Sequence, residues 1–138
     1  MANALFDSGR NAFLSGDIDW SDVGTNISVA LVDVGDYTVD LANHTSMADV
    51  KAVPAALVAE VPLITRTAVA GVADAADVTF TTVSGDQSEA LVIFLDTGVD
   101  ANDTLIAYID TATGLPVTPN TGDIIVQWSD GVNKIFKL

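Results

Sequence analysis

Glu89-Ala90-Leu91-Val92-Ile93-Phe94-Leu95-Asp96 decides the fold. In an extended chain successive side chains point to opposite faces. Leu91, Ile93 and Leu95 would then share one face, with Val92 and Phe94 on the other. A strand that is apolar on both faces is covered on both, so this one is expected at the centre of a sheet. Working outward, Ser84-Gly85-Asp86 reads as a turn, and Asp77–Val83 as a strand with Val78 and Phe80 on one face. Downstream, Thr97–Asp103 reads as a polar loop and Thr104–Thr111 as the next strand. Gly114–Gly122, with Pro116, Pro119 and Asn120, is a long connection. Asp123–Trp128 and Asn133–Leu138 are two further strands joined through Ser129-Asp130-Gly131-Val132, and the Asp-Gly pair predicts a hairpin there.

The first half reads less sharply. Ile27, Val29 and Leu31 alternate with Ser28, Ala30 and Val32 in a strand, and Tyr37–Leu41 is expected to pair with it across the Val34-Gly35-Asp36 turn. Ser46–Val53 suits a short helical turn. Pro54 and Pro62 interrupt regular structure, and a strand from Leu63 to Val69 follows. At the start, Leu5, Phe6, Gly9 and Phe13 recur at helical spacing, and Gly16 is a stop signal. A helix that short is marginal in water, and Gly9 weakens it further, so it needs a surface to pack on. That surface is either its own domain or a neighbouring subunit. The expectation is a mainly-β chain, with an N-terminal arm or short helix over residues 1–20. A single β-sandwich or barrel-like domain of about eight short strands then covers residues 21–138.

Composition bounds the chemistry. The chain has 138 residues, no cysteine and one histidine, His44, so thiol chemistry and disulfides are excluded. Nineteen acidic and five basic residues give a net charge of −14. Phosphate backbones and anionic membrane surfaces would be repelled, so neither nucleic acid nor membrane is an expected partner. High like charge serves solubility, and leaves basic protein surfaces or divalent cations as partners. The first residues lack the basic segment and apolar run of a secretory signal, and no run of residues is long and apolar enough for a membrane span.

Few groups are candidates for chemistry. His44 and Ser46 lack a glycine-flanked nucleophile turn, so His44 reads as a loop residue. Asp96, Asp100 and Asp103 in one loop, and Asp17, Asp19 and Asp22 in another, have the oxygen chemistry that calcium takes, without the spacing of a known calcium loop. Asp also favours turns for local reasons, so these loops read as turns. Glu60 and Glu89 are the only glutamates, and nothing in the spacing pairs carboxylates across a cleft as glycoside hydrolysis requires. No catalytic residue, metal site or cofactor is expected. Phe80, Phe94, Tyr108, Trp128 and Phe136 read as core or cross-strand partners. Leu5, Phe6, Phe13 and Trp20 belong to the arm and are the candidate docking residues.

Several segments are distinctive as a set. They are Ala4–Trp20, Asp36-Tyr37-Thr38-Val39, Ala70–Phe80, Leu105–Val117 and Trp128–Phe136. Together they resemble a family of small structural proteins encoded by tailed bacteriophages, over nearly the whole chain. For a small, acidic, β-rich member the resemblance implies a virion component, a capsid decoration or cement protein. Its partners would be the major capsid protein and copies of itself, as a homotrimer. A net charge of −14 is unfavourable beside packaged DNA, so its expected place is the outer capsid surface, after assembly in the host cytoplasm. A tail or head–tail junction protein is the alternative within that class. A carbohydrate- or host-surface-binding module is the alternative outside it.

Overall fold

The computed structural model describes residues 3–138, and the chain is mainly β. Strands form at β1 (Ala4–Leu5), β2 (Ile27–Val32), β3 (Leu57–Pro62), β4 (Thr67–Val69), β5 (Val72–Asp74), β6 (Val78–Phe80), β7 (Ala90–Leu95), β8 (Thr104–Ile109), β9 (Ile124–Val126) and β10 (Phe136–Lys137). Two short helices interrupt them, α1 (Asp7–Ser15) and α2 (Met47–Val50). The strands make three sheets, β1-β8-β7-β2-β3, β10-β5-β4 and β6-β9, and none closes into a barrel.

β7 is the middle strand of the five-stranded sheet, as its two apolar faces require. Leu91 and Ile93 join Val29, Leu31, Phe80, Val126 and Trp128 on one side. Val92 and Phe94 join Phe6, Tyr37, Met47 and Val50 on the other. The two small sheets cover the first face, while α2 and the 37–56 segment cover the second. Burying Phe94 alone contributes about 2–3 kcal/mol relative to exposure.

The sheet ends where the chain cannot continue it. β3 is an edge strand closed by Pro62, whose missing amide is tolerated at an edge. At the other edge β1 is two residues long, pairing Ala4 with Tyr108 and Leu5 with Ala107. β8 bulges at Ile106 opposite the Ile93/Phe94 step. The Ile106 carbonyl accepts the Phe6 amide at 2.9 Å, and Ser8 Oγ donates to the Leu105 carbonyl at 2.9 Å. The bulge is therefore where the arm docks. Leu5 enters one core and Phe6 the other, so consecutive residues straddle the sheet edge.

Several expectations change. Leu5 lies in a strand, and the helix begins at Asp7 and stops at Gly16, whose φ of 82° suits a left-handed cap. Tyr37–Leu41 forms no strand; Asp40 organises a turn there, accepting the Ala42 and Asn43 amides. β2 pairs with β3 and β7 instead. Of the expected Leu63–Val69 strand only Thr67–Val69 forms, as β4, and the longer strand β3 lies before it at Leu57–Pro62. β9 and β10 are not a hairpin: β9 pairs with β6 and β10 with β5. Strand β5 falls in a stretch of small residues that carries no alternating signal.

Candidate functional site

Three of the four arm residues proposed for docking are buried in the protein's own core: Leu5, Phe6 and Trp20. Phe13 is half-buried against Phe136, with ring centroids 5.9 Å apart. Trp20 meets Phe136 edge-on at 5.2 Å and 77°, and its indole N–H donates to the Asp74 carbonyl at 3.1 Å. In this structure the arm packs on the β-domain, with Leu5, Ala12 and Trp20 in one core cluster with its strands. The apolar side chain that the helix leaves to solvent is Leu14, 87% exposed.

His44 is placed by a neighbour that sequence reasoning did not name. Its Nδ1 lies 3.0 Å from the Tyr37 hydroxyl. Burial, then the nearby Asp49, Tyr108 and Asp40, pushes the Tyr37 hydroxyl far above its ordinary range. Ser46 does not join His44; it opens α2. There the Asp49 carboxylate accepts the Ser46 and Thr45 amides at 3.0 and 2.8 Å, which hold it below the usual carboxylate range. The pair assembles no nucleophile.

The aspartate loops are built from the same local chemistry. Asp103 is 3% exposed and accepts both the amide and hydroxyl of Thr97 at 2.7 Å. Asp96 accepts the Gly98 amide and the Ser28 hydroxyl, and Asp100 binds Lys51 at 2.6 Å. Asp19 accepts the Ser21 and Asp22 amides. Asp19, Asp96 and Asp103 each hold a local turn, whereas Asp100 ties its loop to Lys51. The three carboxylates that do converge are elsewhere: Asp33, Asp36 and Asp86 bring oxygens within 4.8 Å of one another near the end of β2. Asp33 is half-buried and its carboxylate accepts the Gly35 amide at 2.7 Å, while Asp36 and Asp86 are exposed.

The cations are largely committed within the chain. Arg10 binds Asp7 at 3.0 Å, and Lys134 lies 3.9 Å from Asp74 and 3.7 Å from Asp130. Lys51 reaches Asp100 and, at 3.8 Å, Glu60. Partial burial acts to lower its pKa, but the hydrogen bond to Asp100 and the surrounding carboxylates outweigh that and raise it. Arg66 is structural. Its guanidinium donates to the carbonyls of Trp20, Leu63, Asp22 and Thr25 at 2.7, 2.9, 2.6 and 2.5 Å. It pins the 20–25 loop to the turn before β4. The fifth cation, Lys137, is exposed on β10.

One concave feature stands out, a groove of about 830 Å³ between the β1–β8 edge and the 127–137 segment. Asn3, Thr113, Gln127 and Asn133 line it with polar groups, and Tyr108 and Trp128 form part of its wall. Tyr108 and Trp128 are 5% and 7% exposed, so they present edges more than faces. No protein-family model matches the chain, and no curated protein matches it either.

Proposed function

We propose that this protein is a structural component of a tailed-phage virion, a capsid decoration or cement protein that binds the outer face of the major capsid protein shell. The observation that carries the reading is the charge pattern. Nineteen carboxylates meet five cations, and four of those cations are already engaged within the chain. The resulting surface repels packaged nucleic acid and is attracted to basic protein. The likeness of its segments to small phage structural proteins points the same way. So does a β-domain that buries its own arm and folds without disulfides. Once many copies sit on a symmetric shell, weak contacts between them are reinforced by high local concentration.

The test is to count copies in purified particles against the major capsid protein. A ratio near one per capsid subunit, or one trimer per three-fold position, supports decoration. A few to a few tens of copies transfers the protein to the tail or head–tail junction. Absence from particles overturns the reading. One observation favours a second function: the polar groove with Asn3, Gln127 and Asn133 suits a glycan, as a host-surface-binding module would require. A glycan array, repeated with Gln127→Ala and Asn133→Ala, decides that case.

A further inference from the structure

We propose that two copies of this chain associate through the open edge of β4, antiparallel and across a two-fold axis at Ala68. The inference holds for the isolated protein and does not depend on the virion reading.

Backbone geometry comes first. The amides of Ile135 and Leu138, on β10 and its flanks, donate to the carbonyls of Ala73 and Gly71. Residues 71 and 73 of the β5 segment therefore face β10, and Val72 and Asp74 face β4. These pair with Val69 and Thr67. In an antiparallel ladder, bonded and outward-facing residues alternate. Ala68 therefore directs its N–H and C=O away from the sheet, and all three β4 residues are exposed. A second β4 placed antiparallel lets the two Ala68 residues exchange both bonds. It sets Thr67 opposite Val69 of the other copy on the same face, and a three-stranded sheet becomes six-stranded.

Charge selects the occupant. The sequence from Val61 to Ala73 holds no carboxylate, the longest such stretch in a chain with nineteen. The carboxylates that approach the hairpin each face a cation: Asp74 faces Lys134, and Asp19 and Asp22 face Arg66. Val69 on β4 is 70% exposed, and Ile64, three residues before the strand, is 62% exposed. A basic partner gains nothing from this patch. A second copy meets its own neutral, apolar edge and keeps its acidic surfaces apart. The edge also lacks the usual guards against such pairing, since residues 67–69 hold neither a charge nor a proline.

The contact is small, so the dissociation constant is expected on the order of 0.1–1 mM. Net repulsion between two chains of −14 opposes it and is screened beyond about 8 Å at physiological salt. Sedimentation equilibrium up to about 1 mM protein, at low and high salt, reads this directly. The expected result is a monomer–dimer equilibrium that strengthens with salt. Val69→Lys is the discriminating variant. It lowers the net negative charge, so general repulsion alone predicts tighter association, whereas edge pairing predicts about tenfold weaker association, because a lysine blunts the edge. Ala68→Pro removes the outward amide and should abolish the dimer; thermal melting checks that both variants fold. A protein that stays monomeric at high concentration and high salt overturns the proposal. So does association that Val69→Lys leaves unchanged or strengthens.

Discussion

Gly9 of α1 lies directly on the backbone of Ile106, where β8 bulges. A β-carbon at position 9 would sit 2.7 Å from Ile106 Cα and 2.9 Å from the carbonyl oxygens of both Ile106 and Leu105. Those are backbone atoms of a central sheet and do not give way. Helix propensity alone favours Gly9→Ala by about 1 kcal/mol. Overpacking against backbone costs about 1–3 kcal/mol and is expected to win. Urea denaturation of Gly9→Ala should therefore give a less stable protein. A more stable one would show that the helix is free to lift from the sheet.

The clasp between Trp20 and Phe136 joins the two ends of the chain. Edge-to-face aromatic pairs contribute about 0.5–1.5 kcal/mol beyond their buried area. A double-mutant cycle with Trp20→Leu and Phe136→Leu should return a coupling energy in that range. Strict additivity would mean that each ring packs independently.

Arg66 presents a planar fork to four carbonyls, and a lysine ammonium has neither the geometry nor the reach to replace it. Hydrogen bonds from a charged donor are worth about 1.5–3 kcal/mol each before losses elsewhere. Arg66→Lys is expected to cost at least about 2 kcal/mol in chemical denaturation, nearly as much as Arg66→Ala. Full rescue by lysine would reduce the residue to a surface charge.

The β4–β5 turn places Ala70 at φ 53° and Gly71 at φ 78°. Both positions of a two-residue hairpin turn of this kind favour Asn or Gly over alanine. Ala70→Asn should raise the midpoint of thermal unfolding, by about 0.5–1 kcal/mol in stability terms. An unchanged or lower midpoint would show that the turn is not stabilised by the native fold as described.

Both tyrosines resist ionisation. Burial is the first cause for each, and neighbouring acidic groups add to it: Asp49 first for Tyr37, Asp110 first for Tyr108. Their folded pKa values lie above the unfolded value of about 10. The neutral form is thus favoured by folding. That contribution is complete below about pH 10 and is lost as pH rises toward the folded values. Spectrophotometric titration should show tyrosinate appearing late, together with alkaline unfolding. Two tyrosines titrating near pH 10 in a folded protein would contradict the packing.

The sequence made the centre of the fold legible and its periphery obscure, for a physical reason. Ile27–Val32 and Ala90–Leu95 carry their burial in their own side chains, so their strands could be located without a partner in view. The small sheets are specified by partner choice. Val72-Ala73-Asp74 is a strand because β4 and β10 flank it, and no local pattern announces that. Asp130-Gly131 has hairpin chemistry but serves a local turn, with Lys134 N–H donating to the Gly131 carbonyl. Gly9 read as a weakness of the helix because the strand it approaches lies nearly a hundred residues away. The docking residues were found as apolar side chains needing cover, and the structure places that cover within the chain. Arg66 sent no signal, because its partners are carbonyls, which every residue carries.

The order of strands also sets a timetable for synthesis. β2 borders β7, which emerges some sixty residues later, and β1 borders β8, later still. A nascent chain at Asn26–Leu63 has made β2 and β3, two strands with a bare apolar face. At the ribosome's pace of about 5–20 residues per second, that face stays uncovered for several seconds before β7 arrives. The arm waits longer, since Phe136, which packs against Phe13 and Trp20, follows them by more than a hundred residues. The cover for both the arm and the central sheet is thus made well after the residues that it covers.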